Sequence, residues 1–191
     1  MKKIYLSAIF SFLLLIGFSN AADLDNDGID DAEEQALGEK YAPILYFEKE
    51  EKLFPVAVEY HVSNSNLNKS VDNTSILLDT NPSVEELPKY NDGNYYLDNR
   101  KGTINDDGII KDYIENMDAL GYTLYSHIFK ENDNIIIQYW MFYAFNKGTL
   151  NTHEGDWEMV QIVLDSQDNP IKVMYSQHIS CLLYTSPSPR D

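Results

Sequence analysis

The chain has 191 residues, with 14 Lys and Arg against 31 Asp and Glu and a formal net charge of −17. Such a field repels nucleic acid and anionic membrane surfaces and attracts divalent cations. Aromatic residues make up 13%, including 14 tyrosines, which excludes a disordered acidic tail and indicates a packed domain of a length suited to one core.

Residues 1–21 carry the three parts of a secretory signal peptide: "MKK", the apolar run "IYLSAIFSFLLLIGF" and the small residues "SNA". Cleavage is expected after Ala21, giving a secreted or periplasmic protein. The run is shorter than the roughly 20 residues of a spanning helix, so no transmembrane segment is expected in the mature chain. No cysteine follows it, which argues against a lipoprotein.

Residues 22–38 read as a calcium-binding loop and a short helix. With Asp23 at position 1, carboxylates fall at 1, 3, 5, 9 and 12 as Asp23, Asp25, Asp27, Asp31 and Glu34. Gly28 takes the turn and the Ile29 carbonyl supplies position 7. A hard cation wants six or more oxygens, and a glycine turn folds them around it. Asp30 stands where an EF-hand has an apolar residue, which resembles the single-loop calcium motifs of secreted bacterial proteins and thrombospondin type 3 repeats. The alternative is a solvated acidic helix start. The expected role of Ca2+ is structural, and the helix should end by Ala42 because Pro43 follows.

Residues 39–180 read as a mainly β domain, an antiparallel β-sandwich with one or two short helices, C-terminally truncated. "ILYFEKEEKLFPVAVEYHV" shows two apolar runs about a charged turn, and "SNSNLNKSVDNTS" reads as loop. "NDG" at Asn91–Gly93 suggests a turn. Ile110, Tyr113, Ile114, Met117 and Leu120 recur at helical spacing, with Asp107 or Gly108 at the start and Gly121 at the stop. "YTLYSHIFK", "NIIIQYWMFYAF", "WEMVQIVL" and "IKVMYSQH" are β-rich runs. His61 and His127 lie in strand-like runs and read as satisfied core or surface histidines. Residues 181–191, "CLLYTSPSPRD", back-translate without mismatch into a transposase-library sequencing adapter. They are set aside as an artefact, with the true chain expected to continue past Ser180. The sole cysteine, Cys181, goes with them, so no disulfide is expected.

"NTHEGDWEMVQIVLD", Asn151–Asp165, concentrates the remaining chemistry. It is no zinc-protease helix, because Trp157 occupies the second histidine's place in H-E-x-x-H. Strand alternation puts Asp156 and Glu158 on one face, with His153 in the loop before them. If the next run forms a hairpin about Gln167 and Asp168, facing residue numbers sum to about 336 and Glu158 lies near His178. His153, Asp156, Glu158 and His178 would then converge. Such a set suits a second divalent ion (Mg2+, Ca2+ or Zn2+), general acid and base chemistry, or a polar network tying loop to sheet.

The segments "KYAPILYFEKEEKLFPVAVEYHV", "QYWMFYAFN", "HEGDWEMVQIVLD" and "VMYSQH", in this order, resemble the vacuolar protein sorting-associated protein 62 family across residues 39–180. That family's H-x-G-D-W-E element is matched here. A more distant likeness is to the necrosis-inducing secreted proteins, β-sandwiches that bind glycosylated sphingolipid headgroups. It implies a divalent ion on His153, Asp156 and Glu158. The chain departs from that pattern: Gly155 replaces a second histidine, and Asn146, Lys147 and Gly148 replace proline, lysine and aspartate. The favoured expectation is a secreted, calcium-stabilised binding module for a glycan or lipid headgroup. The alternative is a metal-dependent hydrolase using the same cluster.

Overall fold

The computed structural model describes residues 22–148 and 151–176, together with the backbone alone of 2–4 and 182–185. In chain order the elements are β1 (Lys2–Ile4), α1 (Asp31–Lys40), β2 (Leu45–Phe47), α2 (Val58–Ser63), β3 (Ser65–Val71), β4 (Thr74–Asp79), a 3-10 turn (Leu87–Lys89), β5 (Tyr95–Asn99), α3 (Gly108–Leu120), β6 (Tyr125–Glu131), β7 (Asn134–Asn146), β8 (His153–Leu164), β9 (Pro170–Tyr175) and β10 (Leu182–Thr185). The protein is mainly β, and every strand pairing whose register is described is antiparallel. No helix of the described residues is long and apolar enough to cross a membrane. The chain divides into two compact units, one of Met1–Phe47, Leu124–Met141 and Glu158–Asp191, the other of Glu48–Thr123 and Phe142–Trp157.

In the first unit the β-rich runs form strands as their branched and aromatic residues predict. The strand order of their sheet is β10-β9-β8-β7-β6. Ile135, Ile136 and Ile137 of β7 are all buried, which is why that run shows no apolar–polar alternation. Burying each such side chain contributes roughly 2 kcal/mol. Asn132, at the turn into β7, takes a φ of 56°, a conformation that asparagine tolerates better than most residues. Three long-range hydrogen bonds fasten the N-terminal segment onto the strands. Tyr139 donates its hydroxyl to the Gly38 carbonyl at 2.9 Å, Tyr41 to the Asp168 carbonyl at 2.6 Å, and Lys130 its ammonium to the Gly28 carbonyl at 2.7 Å.

The β8–β9 hairpin forms, with a register one residue from the expected one. Val160 faces Tyr175 and Ile162 faces Val173, with an irregularity between Val163 and Leu164. The turn accounts for the slip. Asp165 accepts the amides of Gln167 and Asn169 through one carboxylate oxygen, and Asp168 sits at φ 58°. A slip of one residue exchanges the two faces of a strand.

The second unit corrects two readings of the sequence. "SNSNLNKSVDNTS" is no loop, because Ser65–Val71 and Thr74–Asp79 pair as a hairpin within a sheet of order β4-β3-β5. Asp72 and Asn73 carry φ of 49° and 60°, as a two-residue hairpin turn of the I′ kind requires. The polar sequence belongs mainly to β3, which buries Ser65, Leu67 and Asn68, while β4 is mostly exposed. "VEYHVS", read as strand-like, is the helix α2. Its valines favour strands only weakly, and burial decides: Val58, His61 and Val62, spaced three and four apart, share one helical face, while Glu59 and Ser63 are exposed. α3 matches its expected bounds, opening after Asp107 and closing at Gly121, which takes φ 70°. It buries Ile109, Tyr113 and Met117, one turn apart. The Tyr113 ring stacks on Tyr60 at 5.5 Å, and its hydroxyl donates to the Phe54 carbonyl.

Candidate functional site

The acidic loop folds as its spacing predicts at the turn. Gly28 adopts φ 91°, a region that L side chains rarely enter. The turn brings one carboxylate oxygen each from Asp23, Asp25 and Asp27 within 4.8 Å of one another. Asp23 is held by the Asp27 and Gly28 amides at 3.1 and 3.0 Å, and Asp31 by the Leu24 amide at 3.0 Å. The departure from the EF-hand pattern has a local cause. Asp30 caps α1, accepting the Ala32 amide at 2.8 Å, so the apolar anchor falls one residue earlier, on Ile29, which is 1% exposed.

The donor set fits a hard cation. Among the described residues, Asp27 Oδ2 and Asp31 Oδ2 are buried without a hydrogen-bond partner, a costly state for a carboxylate oxygen that a coordinated cation would relieve. Burial pushes the Glu34 carboxyl up to about 7, helped by the charges of Asp27, Asp25, Asp31 and Asp23. A carboxyl raised in this way marks negative charge crowded together without a compensating partner.

Of the second predicted set, the structure brings His153 and Asp156 together. His153 is the first residue of β8, not a loop residue before it. Its Nε2 lies 3.5 Å from Asp156 Oδ1, and its Nδ1 is 3.3 Å from the Asn151 carbonyl oxygen. Asp156 Oδ2 accepts the Asn146 side-chain amide at 2.8 Å, so both of its oxygens are engaged. Asn146 is a partner that spacing could not have supplied, because it stands on the preceding strand. Glu158 belongs to the other unit, where it accepts the Ser176 hydroxyl at 2.6 Å, while Ser176 and Met159 exchange hydrogen bonds. His178 lies outside the described residues.

The motif also has a second aspect that sequence reasoning missed. Gly155 adopts φ 63° within β8 and interrupts strict alternation, so Glu154, Gly155 and Trp157 line a cavity of about 430 Å3 together with His61 and Phe142. Glu154 accepts the Asn99 amide at 2.8 Å, and burial raises its carboxyl above the ordinary range, with the Asp98 charge acting in the same direction. Trp157 packs on Phe142 at 5.0 Å between centroids. His61 is buried, as expected of a core histidine, yet its Nδ1 has no hydrogen-bond partner. Burial lowers its pKa to about 4, so the ring is neutral. His127 is an exposed surface residue stacked on Phe129 at 5.0 Å. The signal for the cavity in the sequence was Glu154, the variable position of H-x-G-D-W-E.

A Cβ placed on Gly155 would meet Phe142 at 3.5 Å and His61 at 3.8 Å, which are ordinary contacts. The cost of Gly155→Ala is therefore conformational. Urea denaturation should show a loss of about 1 kcal/mol, the price of a left-handed residue bearing a Cβ. An unchanged midpoint would show that β8 relaxes at this point.

These elements define a class: a mainly antiparallel β protein with an acidic loop at α1 and an H-x-G-D-W-E strand beside an aromatic cavity. The chain belongs to the family described as vacuolar protein sorting-associated protein 62, whose match spans residues 29–183. No curated protein matches. A solved structure titled "NLPPya in complex with mannosamine" is similar at 23% identity and a TM-score of 0.32, over 35% of this chain and 32% of that one. The chain thus matches about a third of that protein's length, and the likeness carries no argument about site or ligand.

Proposed function

We propose that the protein is a secreted binding module, stabilised by calcium at Asp23–Glu34, whose H-x-G-D-W-E strand presents a site for a polar ligand such as a glycan or lipid headgroup. The observation that carries the calcium part is the convergence of Asp23, Asp25 and Asp27 beside the unpartnered oxygens of Asp27 and Asp31. Calcium bound there would hold α1 and the loop, already tethered by Tyr139, Tyr41 and Lys130, against the sheet of the first unit. The polar pair His153 and Asp156, steadied by Asn146, supports recognition of a polar group or a second divalent ion.

Isothermal titration of the full chain with calcium chloride separates the two sites. Asp27→Ala and Glu34→Ala should each abolish the calcium heat, and a His153→Ala/Asp156→Ala variant should retain it. Unchanged heat in the first two variants would remove the loop site. Metal analysis of the purified proteins tests the second ion, which is absent if the double variant and the parent carry equal amounts.

A further inference from the structure

The cavity in the second unit has a composition that selects for charge. Among the described residues its lining includes Tyr90, Tyr96, Phe142 and Trp157, with Glu154 the one charged side chain and His61 neutral. Val58 and Val62 of α2, Leu67, Leu87 and Leu97 add apolar surface, and no lysine or arginine is among the described lining residues. Aromatic rings present negative faces, and a cluster of them lining a half-open cavity attracts organic cations. Glu154 adds a carboxylate that burial and Asp98 leave short of positive charge. The net charge of −17 adds a long-range field of the same sign.

The protein already uses this chemistry at the edge of the cavity. The Lys69 ammonium lies over the ring of Tyr95, another lining residue, 5.0 Å from its centroid. That contact places an ammonium over one of the lining rings. A hexose fits less well. Its several hydroxyls would need partners on walls that are mostly hydrocarbon and aromatic, and each unpaired hydroxyl buried there costs binding. A metal ion is excluded as occupant by the small number of oxygen donors.

We propose that this cavity binds an organic ammonium group, of the size of a choline or alkylamine head, with Trp157 and Tyr96 supplying ring faces and Glu154 the counter-charge. The inference goes beyond the binding-module reading and stands without the calcium loop or the His153–Asp156 pair. Such a group could reach the cavity as a free small cation or as a choline headgroup.

The test uses the full chain and a matched pair of probes, choline and its neutral isostere 3,3-dimethylbutanol, titrated while tryptophan fluorescence is read. Choline should saturate a single site and bind about five-fold or more tightly than the isostere, the margin expected of a cation over partly exposed ring faces beside a carboxylate. Equal affinities, or no binding of choline, would overturn the proposal. Glu154→Gln should weaken choline and leave the isostere unchanged. Trp157→Ala should weaken choline in a calorimetric titration. Retention of choline affinity in both variants would place the cation elsewhere and overturn the assignment.

Phosphocholine and phosphatidylcholine vesicles identify the source. Free choline binding without vesicle binding supports a small cation, and co-sedimentation with vesicles that choline competes away supports the headgroup. A methyl hexoside that binds in the cavity in place of choline would overturn the ammonium reading while supporting a glycan module, so the two conclusions fail separately.

Discussion

Chelating calcium from the protein is expected to lower its melting temperature by about 5–10 °C. A ligand held only by the folded state at a hundred times its Kd adds ~2.7 kcal/mol, and in a domain of this size each kcal/mol moves the midpoint by roughly 2–4 °C. The energy would enter at the Gly28 turn, where three carboxylates converge and two oxygens, on Asp27 and Asp31, are buried without hydrogen-bond partners among the described residues. A calcium ion there would relieve both penalties at once, and because α1 is bonded to the sheet through Tyr139 and Gly38, the gain should be felt in global unfolding and not only at the terminus. Thermal scans with calcium and with EGTA provide the comparison. Asp27→Ala should melt identically in both, and an EGTA-insensitive parent would contradict the site.

The second large effect is loss of stability in acid through His61. The histidine is 4% exposed, and burial depresses its pKa from 6.5 to about 4. The unfolded chain takes up a proton near 6.5, whereas the folded protein resists until about 4. The stabilising contribution of neutral His61 is therefore complete above pH 6.5 and is lost as the pH falls to about 4, where the folded state is protonated too and the loss levels off. The full span corresponds to about 3 kcal/mol. Urea denaturation at pH 7, 5.5 and 4 of the parent and of His61→Phe isolates the effect, because the carboxylates titrate alike in both. Parallel pH profiles would show that His61 is not responsible.

How far the sequence spoke for the structure depended on whether an element was set by local or by distant residues. β6 to β9 were legible because Ile, Val, Tyr and Phe dominate runs bounded by turn residues, and α3 because its apolar spacing ends at Gly121. The turn of the acidic loop was legible as well, since Gly28 stands among closely spaced carboxylates and takes the φ of 91° that favours glycine. α2 was not, because a six-residue helix rich in valine has no propensity signal of its own and is decided by which face it buries. The β3–β4 hairpin escaped because β3 is mostly polar and β4 leaves Ile76, Leu77 and Leu78 exposed, so neither strand shows a clean apolar–polar alternation and only Asp72 and Asn73 announce the turn. The cavity was the least legible feature, assembled from α2, β5, β7 and β8 with no motif linking them except Glu154 and Trp157. The hairpin register was missed by one residue because the Asp165 turn geometry is invisible to spacing alone.

Gly155 couples two pieces of chemistry that would otherwise be free to diverge. In an unbroken strand, successive residues would serve opposite sides in turn, and each side could change without consulting the other. The left-handed step divides six adjacent residues unevenly instead: His153 and Asp156 meet, while Glu154 and Trp157 look into the cavity. A variant that restores regular pleating would have to re-aim both sets together. Any attempt to graft one binding property into another scaffold therefore carries the whole hexapeptide, kink included, as its smallest transferable piece.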